Sequence, residues 1–176
     1  EGEHNTIRQL CTDEGCTFIQ AKENRGYNAG NNIGLRYAAE KGYEYALIAN
    51  PDMRFPQTDY VAQLVKVMEE KPEVAVCGSD IVNSDGRHQN PQCEATYFEE
   101  LFWFMEILRN RKSKKWYLCD YNQSGYCEKI SGCCLMTRLS FINDIGFFDE
   151  NVFLYCEESI LSKQVRRANV KMYYLR

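Results

Sequence analysis

The chain has 176 residues, a length typical of one domain with a substantial core. Hydrophobic residues make up 44% and charged residues 26%, and the net charge of −4 argues against nucleic acid as a partner. No apolar run reaches the roughly 18 residues that a membrane span needs. The opening residues, EGEHNTIRQL, have the character of the middle of a helix, so we expect a piece of a longer protein.

Strands and helices alternate along most of the chain. This alternation predicts the α/β class, with a mainly parallel sheet flanked by helices. The predicted elements are a strand at 17–21, a helix at 29–41, a strand at 43–50, a helix between Thr58 and Pro72, a strand at 73–78, a turn at 83–87, an aromatic helix at 96–110, a strand at 129–138, a short helix at 139–146, a helix at 157–168 and a strand at 170–175.

The chain contains nine cysteines and no CxxC pair. Several lie in apolar runs such as VAVCG and ISGCCLM, which indicates buried, reduced thiols in a cytosolic protein. His4 and His88 lack the spacing of metal ligands, which argues against a zinc site.

The stretch NRGYNAGNNIGLRYA places glycines at Gly26, Gly30 and Gly34 just before and within a predicted helix. Glycine lets the backbone approach a ligand closely, and a helix N-terminus offers N–H groups to a diphosphate. The spacing differs from the dinucleotide fingerprint G-x-G-x-x-G, and no Walker lysine follows. A glycine-rich turn that packs the helix tightly against the sheet is the alternative, and spacing does not separate the two.

The segment IANPD ends a predicted strand at Pro51, which lacks the N–H that a central strand requires. Open α/β sheets bind ligands at the carboxyl ends of their strands. Asp52 therefore lies where a site is expected, beside the amide of Asn50, and its carboxylate suits Mg²⁺ or Mn²⁺ on a diphosphate. The alternative is an aspartate that stabilises its own turn.

Four acidic residues lie in the aromatic segment IGFFDENVFLYCEESIL: Asp149, Glu150, Glu157 and Glu158. Carboxylates among aromatic side chains are candidates for a general base. Alternatively, Glu157 and Glu158 occupy a first helical turn and favour its dipole.

The motifs N-x-G-Y-x-x-G-N-N-x-G-L, L-I-x-N-P-D, I-S-G-C-C-L-M-T-R, I-G-F-F-D-E and F-L-Y-x-E-E follow one another along nearly the whole chain. In this order they resemble the inverting nucleotide-sugar glycosyltransferases of the GT-A fold, especially bacterial, rhamnosyltransferase-like members. The resemblance implies one glycosyltransferase-like domain over 1–176. Compared with the family, this chain lacks the first strands and a C-terminal histidine-containing segment.

The resemblance also implies a role for each matching residue. Glu158 takes the position of the catalytic base, and Glu157 is the first acid of the pair. Asp52 takes the metal position, for Mg²⁺ or Mn²⁺. The nucleotide-sugar segment comprises Asn24, Gly26, Gly30, Asn31, Asn32, Asn50 and Asp52, and the acceptor side comprises Gly132, Asp149 and Glu150.

The implied function is transfer of a sugar, with inversion, from a nucleotide-diphosphate sugar to a glycan or lipid-linked acceptor in cell-surface polysaccharide synthesis. Ile160 replaces an aspartate that is common in the family, so a non-catalytic relative that binds sugar nucleotides or glycans is one alternative. A nucleotidyltransferase is another. It would need basic residues on a triphosphate, and only Arg25 and Arg36 lie near the glycines.

Residues 97–116 combine an apolar face with a basic end that carries Arg109, Arg111, Lys112, Lys114 and Lys115. This pattern is typical of a lid or core-covering helix with a solvated basic end. The alternative is an interfacial helix that makes peripheral contact with an anionic membrane. The expected location is the cytoplasm, and the membrane alternative, together with a lipid-linked acceptor, would place the protein at the inner face of the membrane.

Overall fold

A computed structural model of the chain describes residues 2–94 and 120–176. The helices in these ranges are α1 (Gly2–Asp13), α2 (Tyr27–Glu40), α3 (Tyr60–Glu70), α4 (Leu139–Asp144) and α5 (Glu157–Arg167), and the strands are β1 (Tyr45–Ala49), β2 (Val74–Ser79), β3 (Gly125–Cys127), β4 (Cys134–Arg138) and β5 (Lys171–Leu175). None of the helices within these ranges is long and apolar enough to cross a membrane.

The described strands form one sheet in the order β1-β4-β2-β5-β3. β1, β2 and β5 run in one direction, but β4 lies between β1 and β2 and pairs antiparallel with both. β2 and β5 are parallel neighbours, and β3 is antiparallel to β5. The α/β class with flanking helices is confirmed. The expected predominance of parallel pairs is wrong for the described strands, because β4 inserts between two strands that would otherwise be parallel neighbours.

The core lies on both faces of this sheet. On one face Leu35 of α2, Ile142 of α4 and Leu161 of α5 pack over the sheet with Leu135 of β4. On the other, α3 buries Leu64 and Met68 against Met136 of β4. Leu135 and Met136 point to opposite faces because successive strand side chains alternate. The helices that carry the candidate site, α2 and α5, therefore share one face.

The strand predicted at 129–138 begins only at Cys134, because residues 132 and 133 form a turn. The run at 17–21 is not a strand, and the prediction is wrong there. A strand needs a neighbour for its backbone hydrogen bonds, and this run has none in the part of the chain that the structure describes. The helix predicted at 96–110 and the proposed membrane segment 97–116 lie outside the described residues.

The cysteines only partly match the expectation of buried thiols. Cys77 is fully buried, and burial raises the pKa of its thiol to about 12, as expected of an inert core thiol. Cys16 and Cys156 are exposed because they lie in the loop after α1 and in the turn before α5. Cys93 is disulfide-bonded, so the expectation of reduced thiols is wrong at that position.

Candidate active site

Gly26 begins the site, immediately before α2. Its φ of 99° is one that side-chain-bearing residues rarely adopt. A Cβ on this residue would lie 2.7 Å from the Cα of Phe153. The N–H of Tyr27 donates to the carbonyl of Phe153 at 2.9 Å, and the side chain of Asn24 accepts from the N–H of Gly26 at 3.0 Å. Glycine is therefore required here to bring the start of α2 against the loop before α5.

Gly30 and Gly34 serve a different purpose. A Cβ on either would meet nothing within 4 Å, so close packing does not explain them. Gly30 instead borders an open cavity of about 440 Å³, here called the α2–β1 cavity. Its lining consists of Asn24, Gly26, Tyr27, Gly30, Asn31, Ala49, Asn50, Pro51, Phe153 and Leu154.

The Asn50–Asp52 turn follows β1, and its first two residues, Asn50 and Pro51, line this cavity, whereas Asp52 does not. The N–H of Asn50 donates to the carbonyl of Cys133 at 2.8 Å, and the N–H of Met53 donates to the carbonyl of Asn50 at 3.1 Å. Asp52 is exposed, and no hydrogen bond or ion pair engages its carboxylate within 2–94 and 120–176. The turn is thus fixed by its backbone and leaves the carboxylate open.

The donor set at this turn fits a divalent cation that shares its ligands with a substrate. In the described ranges there is no cluster of three or more His, Cys, Asp or Glu side chains that would enclose a metal. Mg²⁺ usually binds through one or two carboxylates together with substrate phosphate oxygens, and Asp52 provides such a carboxylate.

Glu158 lies in the first turn of α5 and faces residues 128–133, the connection between β3 and β4 that is here called the Gly132 loop. The N–H of Gly132 donates to Oε1 of Glu158 at 3.1 Å. Both residues border a small second cavity, here called the Glu158 cavity. Its lining consists of Tyr27, Asn28, Ile48, Gly132, Leu135, Phe148, Glu157, Glu158, Leu161 and Gln164. This cavity measures only about 20 Å³, room for about one water molecule, so the role of Glu158 as the base stays a prediction.

Tyr27 was not assigned a role from the sequence, yet it lines both cavities. Its hydroxyl lies 2.6 Å from the carbonyl oxygen of Gly132 and 3.1 Å from Oδ1 of Asn50. Burial raises the pKa of this phenol, the nearby side chain of Asn31 partly lowers it, and Cys133, Glu158 and Glu157 raise it again. The net shift is upward, so the phenol keeps its proton and acts as a donor. The available signal was its place in the quoted motif N-x-G-Y, directly at the start of the helix.

Glu157 makes a different contact from its neighbour. Its Oε1 accepts from the N–H of Tyr155 at 2.8 Å. Tyr155 and Cys156 both have left-handed backbone conformations, with φ of 73° and 66°. Glu157 therefore fixes a tight turn before α5. Of the nearby aromatic residues, Phe148 is buried and lines the Glu158 cavity, whereas Phe153 and Tyr155 are 60% and 75% exposed.

The three asparagines of α2 differ in their use. Asn32, 1% exposed, donates to the carbonyl of Phe148 at 2.9 Å and accepts from the N–H of Phe148 at 3.0 Å. Asn28 donates to the carbonyl of Asp149 at 2.7 Å. Asn31 borders the α2–β1 cavity, and its buried Nδ2 has no hydrogen-bond partner in the described ranges. Asn32 is thus occupied in holding the protein together, whereas Asn31 has a donor to spare.

Asp149 and Glu150 do not line the Glu158 cavity with Gly132. Oδ1 of Asp149 accepts from the N–H of Asn151 at 2.9 Å. Glu150 accepts from Asn32 at 2.9 Å and borders a separate cavity of about 880 Å³ between residues 18–25 and α2. Their acceptor-side role stays a prediction.

The fold and this arrangement agree with one class of protein. The chain belongs to the Glycosyl transferase family 2, which it matches over residues 3–132. It is also similar to the crystal structure of GalNAc-T7 with UDP, GalNAc and Mn²⁺, with a TM-score of 0.64 and 14% identity over 97% of this chain and 33% of that one. The crystal structure of A197 from STIV gives a TM-score of 0.53 and 10% identity, over 94% of this chain and 71% of the other. At these identities the structural likeness shows the fold, and it confirms the GT-A architecture.

Among curated proteins the chain is similar to the low-salt glycan biosynthesis hexosyltransferase Agl10 of Haloferax volcanii. The two are 26% identical over 169 residues. The aligned part is 94% of this chain and 51% of the relative, so the chain spans about half the length of the curated relative that it matches.

Proposed function

We propose that the protein transfers a sugar, with inversion, from a nucleotide-diphosphate sugar to a glycan or lipid-linked acceptor, in the manner of rhamnosyltransferase-like enzymes of cell-surface polysaccharide synthesis. The observation that carries this proposal is the placement of three features around two adjoining cavities. They are the start of α2, the residues Asn50 and Pro51 that precede Asp52, and the carboxylate of Glu158, which accepts from Gly132.

The known relatives support the same class of substrate. Agl10 is a hexosyltransferase of glycan biosynthesis, and GalNAc-T7 was crystallised with UDP, GalNAc and Mn²⁺. Membership of Glycosyl transferase family 2 supports glycosyl transfer as the reaction. Donor sugar and linkage are set by pocket shape, and the proposal does not extend to them.

In this scheme the α2–β1 cavity takes the nucleotide diphosphate. The positive end of the helix dipole of α2 faces that cavity and favours an anion. The orphan Nδ2 of Asn31 donates to an oxygen of the ligand, which satisfies a buried polar group that is otherwise costly. Asp52 would hold Mg²⁺ or Mn²⁺, which when bound neutralises charge on the leaving diphosphate.

Glu158 acts as the general base. Its fixed Oε1 accepts from Gly132, which leaves the second carboxylate oxygen to take the proton of an acceptor hydroxyl. The hydroxyl oxygen forms a bond to the anomeric carbon while the bond to the diphosphate breaks. One displacement inverts the configuration, so no covalent enzyme intermediate forms.

A nucleotidyltransferase is disfavoured by the positions of the two nearby arginines. Arg25 and Arg36 both face Glu150, at 3.3 and 3.8 Å, and Arg36 also lies 4.0 Å from the ring centroid of Phe147. Their charge is directed to a carboxylate of the protein itself, whereas a triphosphate site needs basic groups directed at the ligand.

Product analysis tests the proposal directly. The full-length protein is incubated with Mn²⁺, a panel of nucleotide sugars and glycan acceptors. We expect nucleoside diphosphate in solution and the sugar on the acceptor. Released pyrophosphate would indicate nucleotidyl transfer, and binding without either product would indicate a non-catalytic relative.

A cytoplasmic location at the inner face of the membrane, through residues 97–116, is a further part of the proposal and rests on the sequence pattern alone. Co-sedimentation with vesicles checks it. We expect binding to vesicles with anionic lipid and weaker binding to neutral ones. Equal binding to both kinds, or none to either, would contradict it.

A further inference from the structure

Tyr27 occupies the boundary between the two cavities of the site. It is the first residue of α2, it lines the α2–β1 cavity with Asn50, and it lines the Glu158 cavity with Gly132. The residues that line the two cavities come from four segments of the chain, 24–31, 48–51, 132–135 and 148–164.

The hydroxyl of Tyr27 connects these segments through hydrogen bonds. It lies 2.6 Å from the carbonyl of Gly132, on the peptide unit that begins the link to β4, and 3.1 Å from Oδ1 of Asn50 in the turn after β1. The N–H of the same Gly132 donates to Oε1 of Glu158 at 3.1 Å. Gly132 is therefore held on both sides, by Tyr27 at its carbonyl and by Glu158 at its N–H.

Gly132 lies between the side chains of Tyr27 and Glu158. A Cβ there would meet Oε1 of Glu158 at 3.5 Å and Cε1 of Tyr27 at 3.6 Å, both ordinary van der Waals distances. The backbone of Tyr27 is itself fixed, because its N–H donates to the carbonyl of Phe153. The phenol thus extends from an anchored backbone to both Asn50 and Gly132.

We propose that Tyr27 is a positioning residue that holds the Gly132 loop, and through it Glu158, in alignment with the Asn50–Asp52 turn. This inference rests on the proposed function and deepens it. A nucleotide diphosphate in the α2–β1 cavity contacts the turn that Asn50 begins, and Tyr27 transmits its position to the base. Tyr27 does not touch the reacting atoms, and it acts through Gly132 and Glu158.

The decisive variant is Tyr27→Phe in the full-length protein, which keeps the ring and removes the hydroxyl. Loss of one neutral hydrogen bond predicts that kcat falls roughly 3- to 10-fold, with the KM for the donor changed by less than about twofold. Tyr37→Phe is the matched control. Tyr37 lies on the same helix, and its hydroxyl meets Thr17 at 3.2 Å on the exposed side. We expect this control to keep the parent kcat.

A double-mutant cycle separates positioning of Glu158 from a general structural effect. If Tyr27 acts through the base, Tyr27→Phe should lower the residual rate of Glu158→Gln by less than about twofold. An equal fall in both backgrounds would overturn the proposal, because the hydroxyl would then act independently of Glu158. An unchanged kcat for Tyr27→Phe alone would also overturn it.

Amide hydrogen exchange at Gly132 provides a readout besides activity. We expect exchange roughly 3- to 10-fold faster in Tyr27→Phe than in the parent and unchanged in Tyr37→Phe. Unchanged exchange at Gly132 would overturn the positioning claim whatever the kinetics show. If the parent transfers no sugar, the proposed function fails, and the exchange at Gly132 alone then decides whether Tyr27 holds this loop.

Discussion

At the scale of single residues, adjacent side chains in this site have opposite tasks. Neighbouring residues on a helix point about 100° apart, so Glu157 and Glu158 do not face the same cleft equally. Glu157 accepts from Tyr155 and fixes the turn before α5, whereas Glu158 accepts from Gly132. Asn31 and Asn32 on α2 differ in the same way. The Nδ2 of Asn31 has no hydrogen-bond partner in the described ranges, whereas that of Asn32 donates to the carbonyl of Phe148.

The asparagine pair gives a prediction in which two adjacent changes have opposite effects. Asn32→Ala should lower the free energy of unfolding by about 2 kcal/mol, because it leaves the buried N–H and carbonyl of Phe148 without partners. Asn31→Ala should leave stability nearly unchanged, because its Nδ2 has no partner within the described ranges, but weaken binding of nucleotide diphosphate.

Urea unfolding and calorimetry with UDP and Mn²⁺ measure the two effects of the asparagine changes. Because each variant serves as the control for the other, a general effect of shortening an amide cancels. If Asn32→Ala is as stable as the parent but binds UDP more weakly, this prediction is wrong, and Asn32 contacts the ligand as expected from the sequence.

The exposed carboxylate of Asp52 gives a second prediction at this scale. Asp52→Ala should abolish Mn²⁺-dependent binding of nucleotide diphosphate, because the cation loses its protein carboxylate, and should leave the thermal unfolding midpoint unchanged. Asp85→Ala, in the exposed turn after β2, is the matched control and should bind as the parent does. If Asp52→Ala also binds ligand and metal like the parent, the metal role of Asp52 is wrong.

At the scale of elements, local patterns predicted most of what lies in the described ranges. The helix after the glycine stretch, the strand that ends before Pro51 and the helix that begins at Glu157 all formed within two residues of their expected positions. These elements are determined by periodicity and by terminating residues such as Gly42. Such signals are local, so one sequence is enough to reveal them.

The features that the sequence did not predict depend on distant contacts. The antiparallel insertion of β4 brings together strands far apart in the chain, and no local pattern encodes its place. Tyr27 and Gly132 are 105 positions apart, so the role of Tyr27 depends on the fold. The strand expected at 17–21 failed for the same reason, since an extended run with strand propensity still needs a partner.

At the scale of the whole molecule, β1 is an edge strand of the described sheet, and its residues line a groove of about 400 Å³ beside Gly30, Gly34 and Ala38 of α2. An unpaired edge beside small residues leaves room for further structure. The chain also spans 51% of its curated relative. We propose that the nucleotide base is gripped by parts of the protein beyond these 176 residues.

This proposal predicts that the 176-residue chain alone binds nucleotide poorly. Calorimetry with UDP, dTDP and GDP in the presence of Mn²⁺ should show weak binding with little preference among the bases, because the phosphate contacts of α2 do not discriminate between them. Tight, base-selective binding by this chain would show that it already contains the whole nucleotide site.

The central claim, base catalysis by Glu158, is tested most directly by the turnover of Glu158→Gln in the full-length protein. The substitution keeps the size of the side chain and its acceptor oxygen for Gly132 but removes proton acceptance. We expect donor binding to survive and kcat to fall by roughly 10²- to 10⁴-fold. Glu157→Gln should lose much less, because Oε1 of Glu157 accepts from Tyr155 rather than from Gly132, although Glu157 lines the same cavity. Normal turnover by Glu158→Gln would contradict the account, and a dead Glu157→Gln beside it would assign the base to the neighbouring residue.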